Sequence, residues 1–363
     1  MTSTVDNKSE VVQSGTTISI DAMGGDLGPA AVVAGIVRVV QKNKKIHFLL
    51  HGQQKQLQEL VAKRQSLKGR VTIIDSLEVI KMEDKPSHVV RHGKATSMWS
   101  AIDSVRDGDA SVCVSCGNTG AFMAISMVRL RKLNGVNRPA IAILWPSSNP
   151  MGFNVMLDVG ADVRADPKDL LQYALMGVSY ARNGLGIAKP RVGLLNVGTE
   201  EHKGRSELKE AYAKIEHCQL EANFVFEGFV EGGDIPGSKV DVIVTDGFTG
   251  NVALKTAEGT ASLIGYLLRE AFRFSPLSKL ASILAFTSLN RFKMRIDPRR
   301  VNGGVFLGLN GTVVKSHGSA DATGIEAAIK LAFELSKNDF LQKVAARVAY
   351  AGAIDNDVYD DAN

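Results

Sequence analysis

A chain of 363 residues that is 45% hydrophobic is long enough for one large α/β domain. Glycine is abundant at 35 residues and aromatics make up only 6%, which fits an enzyme with many tight strand-to-helix turns. The formal net charge of +5 is local. Between Thr260 and Arg300, eight basic residues (Arg269, Arg273, Lys279, Arg291, Lys293, Arg295, Arg299 and Arg300) face Glu270 and Asp297, so this stretch is +6 and the remainder about −1. A local basic patch marks a partner more often than a diffuse one does. Three cysteines, an odd number with no signal-peptide pattern before them, read as a reducing cytoplasm. No stretch nears ~18 to 20 uninterrupted apolar residues, which excludes a membrane-spanning helix, and no nucleic-acid partner is expected.

Residues 1–15 are polar and lack periodicity, as expected of a disordered tail. Apolar, β-branched runs then alternate with amphipathic segments. Strands are predicted at Thr17–Ile20, Ile46–Leu50, Val71–Ile74, Ala110–Val114, Ala140–Leu144, Asn154–Asp158, Arg191–Asn196 and Val240–Thr245. Helical patterns fall at Ala30–Gln41, Lys55–Arg64, Ala95–Arg106, Gly120–Leu133, Pro167–Asn183, Ser206–His217 and Gly250–Arg273. Such alternation predicts a mostly parallel sheet covered on both faces, with ligands beyond the carboxyl ends of the strands. The main domain is placed at 16–350 and a C-terminal tail at 351–363.

The loops leaving those strands carry the polar glycine turns. The first is Asp21-Ala-Met-Gly-Gly-Asp-Leu-Gly-Pro29, where Gly24 and Gly25 free the backbone to approach a ligand beside Asp26. The second is Cys116-Gly-Asn-Thr-Gly-Ala121, where Gly117 leads into a helix start. Free N–H groups there suit an anion, and Asn118 and Thr119 add side-chain donors. The third runs from Asn196 through Gly198, Thr199 and Lys203 to Arg205, crowding an amide, a hydroxyl, carboxylates and basic side chains. The fourth is Asp246-Gly-Phe-Thr-Gly-Asn-Val-Ala-Leu-Lys255, with Asn251 and Lys255 one turn apart on a helix face.

Beyond it, Leu263, Ile264, Leu267, Leu268, Phe272 and Phe274, then Leu280, Ile283, Leu284, Phe286, Leu289 and Phe292, form an apolar stripe among the cations. They predict an amphipathic helical hairpin over 256–296, protruding from the domain. Its alternative fates are packing in a dimer, dipping into an anionic membrane surface and greeting an acidic partner protein. A last apolar run precedes Lys315, His317 and Ser319. His317 is a candidate acid/base or phosphate donor. Cys113 and Cys116 form half of a zinc pattern with no second pair, so no metal is assigned.

Taken in order, Asp21–Asp26, Gly117–Ala121, Leu157–Ala161, Val192–Glu200, Thr245–Asn251 and Lys315–Ser319 closely resemble the phosphate acyltransferase family, over about Ile18 to beyond Asp321. The resemblance implies a three-layer α/β/α sandwich like isopropylmalate dehydrogenase and phosphotransacetylase, usually a homodimer. It implies transfer of a fatty acyl group from acyl carrier protein to inorganic phosphate, without a cofactor. The acyl phosphate would feed glycerol-3-phosphate acyltransferase at the membrane, which the soluble enzyme docks on peripherally. In Arg91-His-Gly-Lys-Ala-Thr-Ser-Met98, His92 and Gly93 dilute a more basic family run, which weakens Arg91 and Lys94 as contacts.

On this reading phosphate sits between Gly24–Gly25 and Gly117–Thr119. Lys203, Lys255 and His317 carry charge, and Asn196 and Asn251 orient the thioester. Asp246 fixes Lys255 or accepts a phosphate proton, and attack is direct rather than through Cys116. All the turns are expected at one edge of the sheet. The alternatives are transfer between coenzyme A and phosphate, a metal- and nicotinamide-dependent decarboxylating dehydrogenase with Asp241 and Asp246 but no third carboxylate ligand, and a non-catalytic adaptor.

Overall fold

A computed structural model describes residues 15–43, 45–200, 202–296, 303–337 and 340–348. The expected tails at 1–14 and 351–363 lie outside the described residues, as do Asp297, Arg299, Arg300 and the side chains of Lys293 and Arg295.

The predicted alternation is present. Strands are β1 (Thr16–Asp21), β2 (Ile46–Gly52), β3 (Val71–Asp75), β4 (Val112–Ser115), β5 (Ala140–Pro146), β6 (Phe153–Leu157), β7 (Arg191–Leu195), β8 (Val225–Val230), β9 (Val242–Val244), β10 (Gly304–Leu307) and β11 (Thr312–Lys315). Helices are α1 (Gly28–Lys42), α2 (Gln54–Ala62), α3 (Pro86–His92), α4 (Ser97–Arg106), α5 (Thr119–Arg129), α6 (Pro167–Leu185), α7 (Ser206–Cys218), α8 (Gly247–Arg273), α9 (Pro276–Leu284), α10 (Phe286–Ile296) and α11 (Ala322–Leu335). All eleven strands join one sheet, in the order β3-β2-β1-β4-β11-β10-β5-β6-β9-β7-β8.

Side-chain alternation makes this sheet the middle of three layers. Val112 and Val114 pack into one apolar cluster while Cys113 packs into the other. Val242 and Val244 divide from Ile243 in the same way, as do Val305 and Leu307 from Phe306. A strand with both faces apolar is buried on both, so its neighbours are helical layers rather than water.

The sheet differs from the expected parallel one at its centre. β3, β2, β1, β4 and β11 run parallel, and so do β6, β9, β7 and β8. Between these blocks β10 is antiparallel to both β11 and β5, and β5 is antiparallel to β6. Three reversals therefore set the two blocks in opposed senses. The loops leaving β1, β4 and β11 and those leaving β6, β7 and β9 start from opposite ends of the ladder, not from one edge.

One helix connects the two ends. α8 has 27 residues, so it runs about 40 Å. Only Gly247 and Gly250 of it are buried. With α9 and α10 it forms the amphipathic projection, built of three helices where two were expected. Phe274 (90% exposed), Leu284 (82%) and Leu277 (75%) leave a large apolar face open on this chain.

Candidate active site

Three turns meet at the ends of β1, β4 and β11, and glycine is what lets them touch. A Cβ on Gly24 would lie 2.6 Å from the Gly117 nitrogen and 2.6 Å from Asp21 Oδ2. Gly25 has φ +91°, and a Cβ there would meet the Cys116 Cβ and the Gly318 carbonyl oxygen, each at 2.9 Å. The Asp26 N–H donates to Gly318 O at 2.8 Å, tying the first turn to the last.

Asp21 lies beneath, 1% exposed. Its carboxylate accepts from Ser97 Oγ and Ser115 Oγ, both at 2.7 Å, and from the Met23 N–H at 3.3 Å. Ser115 Oγ in turn accepts from the Gly117 N–H at 3.0 Å. Burial pushes the Asp21 carboxyl above its ordinary value, although these donors oppose the shift. One buried side chain thus fixes both glycine turns.

Asn118 caps α5, accepting from the Ala121 N–H at 3.0 Å. Its amide donates to Met82 O at 2.8 Å and Asp84 O at 2.9 Å. The Asn118 amide is therefore spent on the 81–84 loop rather than open to an anion, a correction to the expected donor. The N–H groups of the first turn of α5, at Thr119 and Gly120, have no intrahelical acceptor.

Lys315 was given no role from sequence, and the structure places it at the centre of these turns. It ends β11 and is 8% exposed. Its ammonium donates to Cys116 O at 3.4 Å and to Ser316 O. Burial lowers its pKa to about 8. The signal was a lysine closing the apolar run Thr-Val-Val-Lys. The Cys116 thiol is buried and pushed up by that burial, a poor nucleophile.

Exposed His317 takes a defined tautomer. Its Nδ1 accepts from the Ser319 N–H at 3.3 Å and pairs with Ser319 Oγ at 2.8 Å. The proton then belongs on Nε2, which lies 3.8 Å from the Glu258 carboxylate. Glu258 also takes Lys255 at 2.9 Å. With His317 first and Lys255 adding to it, its pKa falls to about 2, against opposing burial. In this way the third turn of α8 docks on the β11 turn.

The second set of turns meets at the ends of β6, β7 and β9. Asp246 caps α8 by accepting from the Thr249 N–H at 2.8 Å, and forms an ion pair with Arg205. Burial raises its carboxyl, and the Thr249 and Arg205 donors outweigh that and hold it below the ordinary range. Asp246 therefore does not fix Lys255, the partner expected from sequence; Arg205, at the end of the third loop, is its partner. Asn196 is buried, its Nδ2 donating to Lys203 O at 3.3 Å. Gly198 packs under the Lys203 stem beside exposed Thr199. Lys203 is exposed and pairs with Glu200 at 2.6 Å. A Cβ on Gly160 would lie 3.4 Å from Asn251 Nδ2. Asn251, beside Gly160, and Lys255, paired with Glu258, are one turn apart on α8, with about 6 Å between their Cβ atoms.

Asp241 belongs to neither. It is held by Arg191 at 2.8 Å and by Asn149, so it is engaged where a dehydrogenase would need a metal ligand. Arg91 and Lys94 are exposed, at and just beyond the end of α3. A cavity of about 440 Å³ lined by Lys132, Leu133, Asn134 and Asn310 opens elsewhere, and no turn residue lines it.

This architecture is that of the phosphotransacetylases. The phosphotransacetylase of Streptococcus pyogenes superposes with a TM-score of 0.59 at 17% identity, covering 89% of this chain and 94% of that one. EutD phosphotransacetylase from Staphylococcus aureus gives 0.56 at 14% identity, with the same coverage. These likenesses establish the fold. The chain belongs to the family described as fatty acid synthesis protein, which matches residues 16–343. It is 70% identical over 336 residues to the phosphate acyltransferase of Ruegeria sp. (strain TM1040), covering 93% of this chain and 90% of that one. The phosphate acyltransferase of Ruegeria pomeroyi is 67% identical over 340 residues, covering 94% and 92%.

Proposed function

We propose that the glycine turns at the ends of β1, β4 and β11 hold inorganic phosphate, and that the turns leaving β6, β7 and β9 present the acyl thioester to it. The enzyme is an acyltransferase that moves a fatty acyl group to phosphate for phospholipid synthesis. The donor in this reading is acyl carrier protein. The observation that carries it is the mutual contact of Gly24, Gly25, Gly117 and Gly318 about Cys116, whose carbonyl the buried Lys315 ammonium reaches.

A thioester is already activated, so phosphate needs chiefly to be stripped of water and aimed. Positioning of that kind supplies ~7–11 kcal/mol. A hydrogen phosphate oxygen attacks the carbonyl carbon to form the tetrahedral oxyanion, whose collapse re-forms the carbonyl and breaks the C–S bond; the departing thiolate takes up the proton the phosphate loses and leaves as carrier thiol. Each donor to that oxyanion contributes ~3–4 kcal/mol. Lys203, Lys255 and His317 surround the junction between the two sets, and Asn196 and Asn251 orient the thioester. Asp246 positions Arg205 and the start of α8.

The reading includes a homodimer and a peripheral membrane contact through the projecting helices. No described helix is long and apolar enough to cross a membrane. Leu277, Leu280, Ile283, Leu284 and Phe286 are exposed near Lys279 and Arg291, a pattern that suits an anionic lipid surface. Flotation with anionic vesicles at low salt tests this, and absence of binding leaves a second copy as the cover. Acyl phosphate would then pass to a glycerol-3-phosphate acyltransferase.

Incubation with palmitoyl-carrier protein and labelled phosphate should yield labelled acyl phosphate. Activity only with acyl-coenzyme A would move the donor to that thioester, and no acyl phosphate from either would end the reading.

A further inference from the structure

The four lysines and arginines around the turns are not equivalent. Lys203 is held by Glu200 at 2.6 Å, Lys255 by Glu258 at 2.9 Å, and Arg205 by Asp246. Each is exposed and already neutralised. Lys315 is the reverse. It is 8% exposed, its hydrogen-bond acceptors are the neutral carbonyls of Cys116 and Ser316, and among the described residues no carboxylate is within ion-pair distance of it. A buried charge without a counter-ion is costly unless an anion completes it.

Its position says where that anion goes. Cys116 O is 3.4 Å from the Lys315 ammonium and 3.6 Å from where a Gly25 Cβ would stand. The same Cys116 opens the Gly117 turn into α5, and β11 pairs in register with β4, Lys315 beside Ser115. A side chain on Gly25 would occupy this space. We propose that Lys315 is the phosphate-binding cation of this enzyme, lying under the Gly25 and Gly117 turns and left without a carboxylate partner so that the substrate anion supplies its counter-charge.

The inference rests on phosphate being the substrate of these turns, and it adds which residue binds it. The charged and titratable groups facing Lys315 are Asp21 at the end of β1, Asp26 in the β1–α1 loop, Cys116 after β4 and Lys255 on α8, with Glu258 and His317 behind Lys255. Asp21, Asp26 and Cys116 favour the ammonium, Lys255 opposes it, and burial outweighs the balance, bringing Lys315 to about 8. Bound phosphate dianion shifts it back up. The sign follows: below that value the cation is present and phosphate binds fully, and above it the KM for phosphate rises.

Lys315→Met keeps the length and removes the charge. With folding checked by circular dichroism and melting, it should raise the KM for phosphate roughly tenfold to a hundredfold, change the KM for acyl-carrier protein little, and abolish the alkaline rise. Lys315→Arg should restore part of the phosphate affinity and move the rise to higher pH. An unchanged phosphate KM in folded Lys315→Met overturns the proposal. Should that variant not fold, titration calorimetry of phosphate into the wild-type enzyme at roughly pH 8.5, in two buffers of different ionisation enthalpy, reads the proton taken up on binding. Uptake of a fraction of a proton is expected, and none overturns the assignment. A wild-type enzyme that makes no acyl phosphate from any thioester would instead break the functional reading.

Discussion

The two sets of turns use the same materials and hold them in opposite ways. At the ends of β1, β4 and β11 the backbones touch, the carboxylate of Asp21 is 1% exposed, and the cation of Lys315 is 8% exposed. At the ends of β6, β7 and β9 the cations stand in water, each on its own carboxylate: Lys203 on Glu200 and Arg205 on Asp246. A prebuilt donor cage with an unanswered charge suits a small, strongly hydrated anion, because the cost of ordering the cage is met on folding. Exposed cations, Lys203 above all, suit a long thioester arm on a large carrier. On the proposed reading, this difference is why phosphate belongs with the first set and the acyl donor with the second.

The harshest test of that division is Gly24→Ala. Its methyl group would stand 2.6 Å from both the Gly117 nitrogen and Asp21 Oδ2, neither of which can move without dragging a turn. We expect turnover to fall at least ~100-fold, since displacements of about 1 Å cost that much, with a loss of ~1–3 kcal/mol in stability from overpacking. Denaturant melts and saturation with phosphate separate the two effects. Next comes Lys203→Ala. The loss should again be about 100-fold in turnover, but with the phosphate KM near normal and the melting temperature almost unmoved, because an exposed pair contributes under ~1 kcal/mol. A rise in phosphate KM there as large as in Lys315→Met would erase the division. His317→Ala should resemble Lys203→Ala in turnover, since His317 meets Glu258 at the junction.

How much of this was legible differs between the sets for physical reasons. Burial on both faces forces β-branched runs, so β1, β2, β4, β7 and β9 are plain in sequence, as are the glycines at their ends. β8, β10 and β11 are not among the predicted strands; β10 and β11 follow one another with no helix between them, outside the strand–helix alternation that marks the others. The reversal at the sheet centre was present as two consecutive strands, β5 and β6, with no helix between them and Ser-Ser-Asn-Pro-Met-Gly joining them, a hairpin signal that alternation elsewhere hid. Lys315 went unassigned because a terminal lysine on a short strand reads as a solvated edge. Only the pairing of β11 between β4 and β10 buries it. The pairings Arg205–Asp246 and Glu258–His317 were not legible, since long side chains meet across elements that sequence does not align.

Smaller effects sharpen the comparison at its two helix contacts. Asp246 both caps α8 and pairs with Arg205. Asp246→Ala should cost ~1–2 kcal/mol, mostly the lost cap. Asp246→Asn keeps a cap acceptor and removes only the half-exposed ion pair, so it should cost under ~1 kcal/mol. Equal losses in the two variants would mean that the Arg205 pair, not the cap, sets the start of α8.

The smallest effect lies where α8 meets the first set. Glu258 is held by His317 and Lys255, which bring its carboxyl from 4.5 to about 2 in the folded chain. A folded pKa below the unfolded one means stabilisation by the carboxylate, complete above pH 4.5 and lost as the pH falls toward 2. Because Lys255 and His317 are largely in water, screening keeps the contribution under ~1 kcal/mol. Glu258→Gln should therefore melt slightly lower than wild type at neutral pH, and the two curves should merge as acid is added. A gap that persists unchanged at pH about 2 would show that the amide disrupts packing rather than an ion pair. Glu258 would then not be the electrostatic link between α8 and the His317 turn.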